Sequence, residues 1–86
     1  MKFERVEGKV VRLLGAHRSS SGALTAKVAV KAPDLDADVC LLLGQNEYEQ
    51  AVTALFFDLP VTFQREIPVS GQEKSVYEMK DFRLME

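Results

Sequence analysis

Three small groups of residues carry the side-chain types that could do chemistry. The first is His17, the only histidine of the chain, close to Ser19, Ser20 and Ser21. With any of several aspartates these supply a nucleophile, a base and an orienting acid. They sit together in one glycine-flanked loop, Gly15 to Gly22, whereas such catalysis needs geometry fixed by packing. No nucleophile-elbow or oxyanion-type glycine pattern accompanies them, so hydrolysis is not expected.

The second group is Asp34-Leu35-Asp36-Ala37-Asp38, which has the alternating rhythm of an EF-hand loop, where successive oxygens surround a hard cation. Val39 stands where the sharp-turn glycine belongs, and Gln45 where the bidentate glutamate belongs. The stretch therefore reads as a solvated, self-repelling loop. The third group is Cys40 with His17, one ligand type each on separate elements, short of the three or four ligands of a zinc site. A single cysteine forms no internal disulfide, and Cys40 within an apolar run is expected to be a small buried hydrophobe.

The glycines match neither G-x-G-x-x-G nor G-x-x-x-x-G-K-[ST], so no nucleotide loop is indicated. Glu47 and Glu49, two apart on a helix, point in different directions and read as first-turn charges that suit the helix dipole. The chain is accordingly expected to be non-enzymatic, with no cofactor and no metal.

Charge is distributed less evenly than its total suggests. The 86 residues carry a net charge of −2, which argues against a strongly basic nucleic-acid protein. Residues 1–31 nevertheless hold seven Lys and Arg against two Glu, while residues 32–60 hold six Asp and Glu and no Lys or Arg. Such segregation permits a strong local field on a mildly acidic protein.

The elements that would position these charges follow from periodicity. Phe3 to Leu14 is rich in β-formers and interrupted by Gly8, predicting a long first strand with a bend or bulge at the glycine. Leu24, Ala26, Val28 and Val30 alternate with Thr25, Lys27, Ala29 and Lys31, predicting a half-buried second strand with a basic outer face. Val39 to Leu43, uninterrupted and apolar, predicts a short third strand covered on both faces. Asn46 with Glu49 has the form of a capping box. The stripe Tyr48, Ala51, Val52, Leu55, Phe56 and Leu59 then predicts a helix stopped near Pro60. Val61, Phe63 and Ile67 predict a fourth strand, Pro68 to Lys74 a loop, and Ser75 to Met85 a fifth strand. In the last, Phe82 and Leu84 fall out of phase with Tyr77 and Met79, as a bulge near Lys80-Asp81 would produce. Phe56 and Phe63 are expected in the core, with Phe57 close behind.

The order strand, strand, strand, helix, strand, strand, with a long bent first strand, resembles the OB-fold, a small five-stranded Greek-key barrel. The resemblance is one of topology and spans nearly the whole chain. An open antiparallel sheet with the helix packed on one face is the alternative arrangement. One domain, residues 1–86, is expected, and Met1 with no tag-like end suggests a whole gene product. The longest fully apolar run, Val39 to Leu43, is too short for a bilayer, and the first residues lack a signal-peptide core. No membrane contact and a cytoplasmic location are the expectation.

An OB-like barrel flanks its ligand face with the loop joining strands one and two and the loop joining strands four and five. The candidate site is thus the basic hairpin: Lys9, Arg18, Lys27 and Lys31, joined by Lys74 from the second loop, pairing with phosphates of single-stranded nucleic acid. Tyr77, and secondarily Phe3, are the candidate stacking groups. The competing reading is a protein-protein adaptor or inhibitor subunit that uses an edge strand or the segregated charges. Self-association through Phe57 and the Val11/Leu13 face suits either.

Overall fold

The computed structural model describes residues 2–35, 37–67 and 79–85. Five antiparallel strands and one helix follow in the expected order: β1 (Phe3–Arg18), β2 (Leu24–Lys31), β3 (Val39–Leu43), α1 (Gln45–Phe57), β4 (Pro60–Glu66) and β5 (Met79–Leu84). The strands form one sheet in the order β3-β2-β1-β4-β5. The sheet is not closed: the edge strands β3 and β5 approach within 8 Å between Cα atoms in places, but among the described residues no ladder joins them. An open sheet with the helix against one face therefore fits the molecule.

β1 organises the sheet by changing partner along its length. Phe3 to Lys9 pair with β4, from Glu66 back to Pro60. Lys9 to Arg18 pair with β2, from Lys31 back to Leu24. Lys9 alone faces both neighbours. Gly8, just before this exchange, has no room for a side chain, because a Cβ would lie 2.5 Å from the Lys31 carbonyl oxygen. The glycine anticipated as a bend is thus the point of closest approach. The ladder irregularities fall further on, where Val11 and Leu14 are extra residues in β1.

The buried face of the sheet follows the period-two pattern. Val6, Val10, Val28, Val30, Leu41, Leu43, Val61 and Phe63 form one cluster, closed by Ala51 and Ala54 of α1. The bulge anticipated in the last strand is present: the ladder shifts opposite Phe63, and Asp81 takes a left-handed conformation (φ 56°). That shift turns Phe82 inward, where its ring stacks on Phe63 at 6.0 Å between centroids.

Four expectations are corrected. The helix begins two residues early, with Gly44 rather than Asn46 as its N-cap. Glu47 supplies the carboxylate, its Oε1 accepting the Gly44 N–H at 3.1 Å, so Asn46 lies within the first turn and Glu49 beyond it. β3 is covered on one face only: Leu42 is exposed and Cys40 half-buried. It is an edge strand, and its continuous apolar run hides a one-sided strand. The apolar stripe of α1 is also rotated. Its buried residues are the small Ala51 and Ala54, which let the helix lie close to the sheet. Phe56 is 81 % exposed and Phe57 64 %, so neither belongs to the core. The helix ends in a Schellman turn, with Leu59 N–H donating to Ala54 O at 2.9 Å and Asp58 in the left-handed position usually given to glycine (φ 55°).

Among the described residues no helix is long and apolar enough to cross a membrane.

Candidate functional site

The hairpin of β1 and β2 projects beyond the core, and every β1 residue from Val11 to Arg18 is exposed. Its turn is built by its own polar groups. Gly22 N–H donates to Ser19 O and Ser19 N–H to Ala23 O, both at 2.9 Å. Ser19 Oγ lies 2.8 Å from Ser21 Oγ and accepts the Ala23 N–H at 3.2 Å. Gly22 takes a positive φ of 89°. Ser19 and Ser21 thus hold the turn. Arg18 Nη1 donates to Gly22 O at 2.6 Å, which ties this candidate phosphate contact to the same turn.

On the outer face of the sheet three cations converge. Lys27 and Lys31 lie on β2 at either side of Ala29, and Arg12 pairs with Ala29 across the ladder. Residues diagonal across an antiparallel pair lie about 7–8 Å apart, so Arg12 stands between the two lysines. Ala29 is only 3 % exposed although it faces outward, because the long stems around it close over the surface. Opposite on β3 stand Cys40 and Leu42. Among the described residues no carboxylate pairs with Arg12, Lys27 or Lys31.

Arg12 was not among the residues expected to bind. Simple alternation from Lys9 would turn Arg12 toward the core with Val10. The extra residue Val11 shifts the ladder by one, so that Arg12 meets Ala29 and Leu13 meets Val28. A second extra residue, Leu14, restores the original phase at Gly15 and Lys27. Only a count of side-chain phase against β2 would have exposed this, since neither bulge carries a diagnostic residue type apart from Gly15, at φ 143°.

Lys9 and Lys31 are register partners and border a shallow groove of about 530 Å³ lined also by Glu7, Gly8, Val11, Pro33 and Pro60. Lys9 Nζ also reaches Asp58 Oδ1 at 3.2 Å, so it is partly neutralised. A smaller hollow of about 290 Å³ follows along the arm between His17, Thr25, Lys27 and Leu42. Lys9, Lys27 and Lys31 are therefore brought to one face, whereas Arg18 pairs with Leu24, in phase with the inward Ala26 and Val28, and so lies on the other side of the arm.

Farther along β1 the positive charge is internally matched. Arg5 donates to Thr62 Oγ1 at 3.0 Å and pairs with Asp81, which Arg83 approaches at 3.4 Å. The hydrogen bond from Arg5, reinforced by the positive charge of Arg83, holds the Asp81 carboxyl below its usual value of 3.8. Glu4 Oε1 accepts from Arg65 Nε at 2.8 Å, which turns that glutamate away from the basic surface. Phe3 is half-buried under Lys80, whose Nζ sits 4.1 Å from the ring centroid, so its ring is already partnered. Lys74 and Tyr77 lie outside the described residues, as does the loop expected at Pro68 to Lys74.

No group of three or more His, Cys, Asp or Glu able to hold a metal occurs among the described residues. No protein-family model, curated protein or solved structure matches the chain.

Proposed function

We propose that this chain is a non-enzymatic binding module that contacts single-stranded nucleic acid through the outer face of its β1–β2 hairpin. The observation that carries the reading is the cluster Arg12, Lys27 and Lys31, exposed on one face with no carboxylate opposite them among the described residues. Lys27 and Lys31, four residues apart, are separated by about 13 Å along the strand. Arg12 between them completes a row that suits successive phosphates of an extended chain. Lys9 and the groove beside it extend that row at one end. Arg18 at the tip of the arm, Lys74 and Tyr77 remain part of the proposal.

In this reading the curled sheet serves as an OB-like, partly open barrel whose hairpin arm flanks the ligand. Contact is chiefly electrostatic and independent of sequence, because the described part of the face offers cations and no unpartnered aromatic ring. Fluorescence anisotropy with a labelled oligothymidylate tests it. Affinity should fall steeply from low to physiological salt, and Lys27→Glu with Lys31→Glu should abolish binding. Absence of binding at low salt would remove the reading.

The protein-adaptor reading has its own support in the exposed Phe56 and Phe57 of α1. Affinity capture with the purified chain, comparing wild type with Phe56→Ser, distinguishes a partner held by that helix from one held by the hairpin.

A further inference from the structure

An 86-residue chain that leaves adjacent phenylalanines 81 % and 64 % exposed has an uncovered surface to account for. The two rings meet edge to face with centroids 5.0 Å apart. Val52 and Leu55, each more than a third exposed, continue the patch toward the middle of the helix. With 3.6 residues per turn, Phe56 and Glu49 project on the side of α1 away from the buried Ala51 and Ala54. The apolar surface is bordered by anions: Glu49 lies two turns before Phe56 on the same side, and the exposed Asp58 caps the end. Residues 32–60 contain no Lys or Arg; of the two anions, Asp58 is met by Lys9 of β1 at 3.2 Å, while no ion pair holds Glu49 among the described residues.

The opposite chemistry stands on the outer face of the sheet. There Arg12, Lys27 and Lys31 surround Ala29, with the exposed apolar side chains of Val11 and Leu42 beside them. The helix packs against the inner face and these cations occupy the outer one, so a single chain cannot bring its own two surfaces together. Helix against helix would oppose the Glu49 carboxylates of two copies, and sheet against sheet would oppose the cations. Only helix against sheet joins unlike charges while covering apolar area on both sides.

We infer that the chain associates with itself head to tail, the apolar, acid-bordered face of α1 in one copy seating on the Arg12-Lys27-Lys31 face of the next. Such a contact is heterologous: a pair of copies keeps one unused surface of each kind, so assembly continues into a ring or an open chain. A nucleic-acid strand would compete for the same cations, but the association needs no nucleic acid and stands or falls without that reading.

Sedimentation velocity of the full chain, free of nucleic acid, tests it. The mean sedimentation coefficient should rise with concentration at low salt and fall toward the monomer value at high salt. Phe56→Ser with Phe57→Ser should weaken association by roughly 30-fold or more, the scale of a buried aromatic anchor. Arg12→Glu with Lys27→Glu should do the same, while Glu49→Lys, which leaves the apolar patch whole, should weaken it a few-fold. These residues are exposed, and circular dichroism checks that each variant retains the fold. The deciding sample is an equimolar mixture of the two disabled double variants. Each retains the surface the other lacks, so the mixture should form a one-to-one pair and go no further. A mixture that stays monomeric overturns the proposal, as does a wild type that is monomeric at every concentration. A dimer broken by the helix substitutions alone overturns it too, because that outcome identifies symmetric helix pairing.

Discussion

The two halves of β1 carry the same kinds of residue and use them in opposite ways. Between Phe3 and Lys9, alongside β4, positive charge is matched within the fold: Arg5 meets Thr62 and Asp81, and Lys9 meets Asp58. Between Val10 and Arg18, alongside β2, Arg12 faces Lys27 and Lys31 and no acid answers them among the described residues. The excess of cations in residues 1–31 is therefore not one surface. What separates a structural cation from an available one is its surroundings: β5 supplies Asp81 and the end of α1 supplies Asp58, where β2 and β3 supply no carboxylate.

The largest effect expected from breaking this comparison is on binding. Arg12→Glu, Lys27→Glu and Lys31→Glu together should eliminate oligonucleotide affinity at low salt, whereas Arg5→Ala should leave it nearly unchanged, both read by anisotropy. With alanine in place of all three, the slope of log affinity against log salt should shrink by about 2, at about 0.7 per lost phosphate contact on a single strand. Equal losses from Arg5→Ala and Arg12→Ala would show that the two halves do not differ.

Next in size is a blow to the point where the halves meet. Gly8→Ala must push a Cβ against the Lys31 backbone oxygen, and backbone yields less readily than a side chain. A loss of about 1–3 kcal/mol in urea unfolding is expected, the usual scale of overpacking. An unchanged midpoint would mean that β1 and β2 separate there without cost.

Phe56→Ser should change stability by less than about 0.5 kcal/mol, because the ring lies outside the core. A large loss would restore the helix face implied by the apolar stripe. The smallest effect concerns the matched half. The lowered Asp81 carboxyl contributes stability that is fully present above its ordinary value of 3.8 and is lost as pH falls through the lower folded value. Asp81→Asn, which tolerates the left-handed backbone, should remove that part of the acid limb in a melting-temperature profile. Because Asp81 is exposed and screened, the change should be slight, and an identical acid limb in the variant would mean that Arg5 gains nothing from this carboxylate.

Much of the architecture was legible because alternation and breakers act locally. The basic outer face of β2 followed from period two, and the β5 bulge from the phase of Phe82 against Met79. The helix was placed correctly but not its orientation: Val52, Leu55 and Phe56 outweigh Ala51 and Ala54 in hydrophobicity, yet close approach to the sheet selects the small residues. Arg12 was missed for a different reason. Its direction depends on one unpaired residue, and no side chain in Val10-Val11-Arg12 announces which is unpaired. The open sheet depends on whether β3 and β5 pair, a contact between distant segments that local pattern does not encode.

The two extra residues of β1 also have a mechanical consequence. Ten residues of β1, Lys9 to Arg18, are fastened to eight of β2, Leu24 to Lys31. Two rulers of unequal length riveted at both ends cannot stay straight, and the arm must coil with its longer member on the outside of the curve. The curvature of the arm is thus written as a difference in count between its two strands, and excising Val11 and Leu14 would flatten it while leaving Arg12 opposite Ala29.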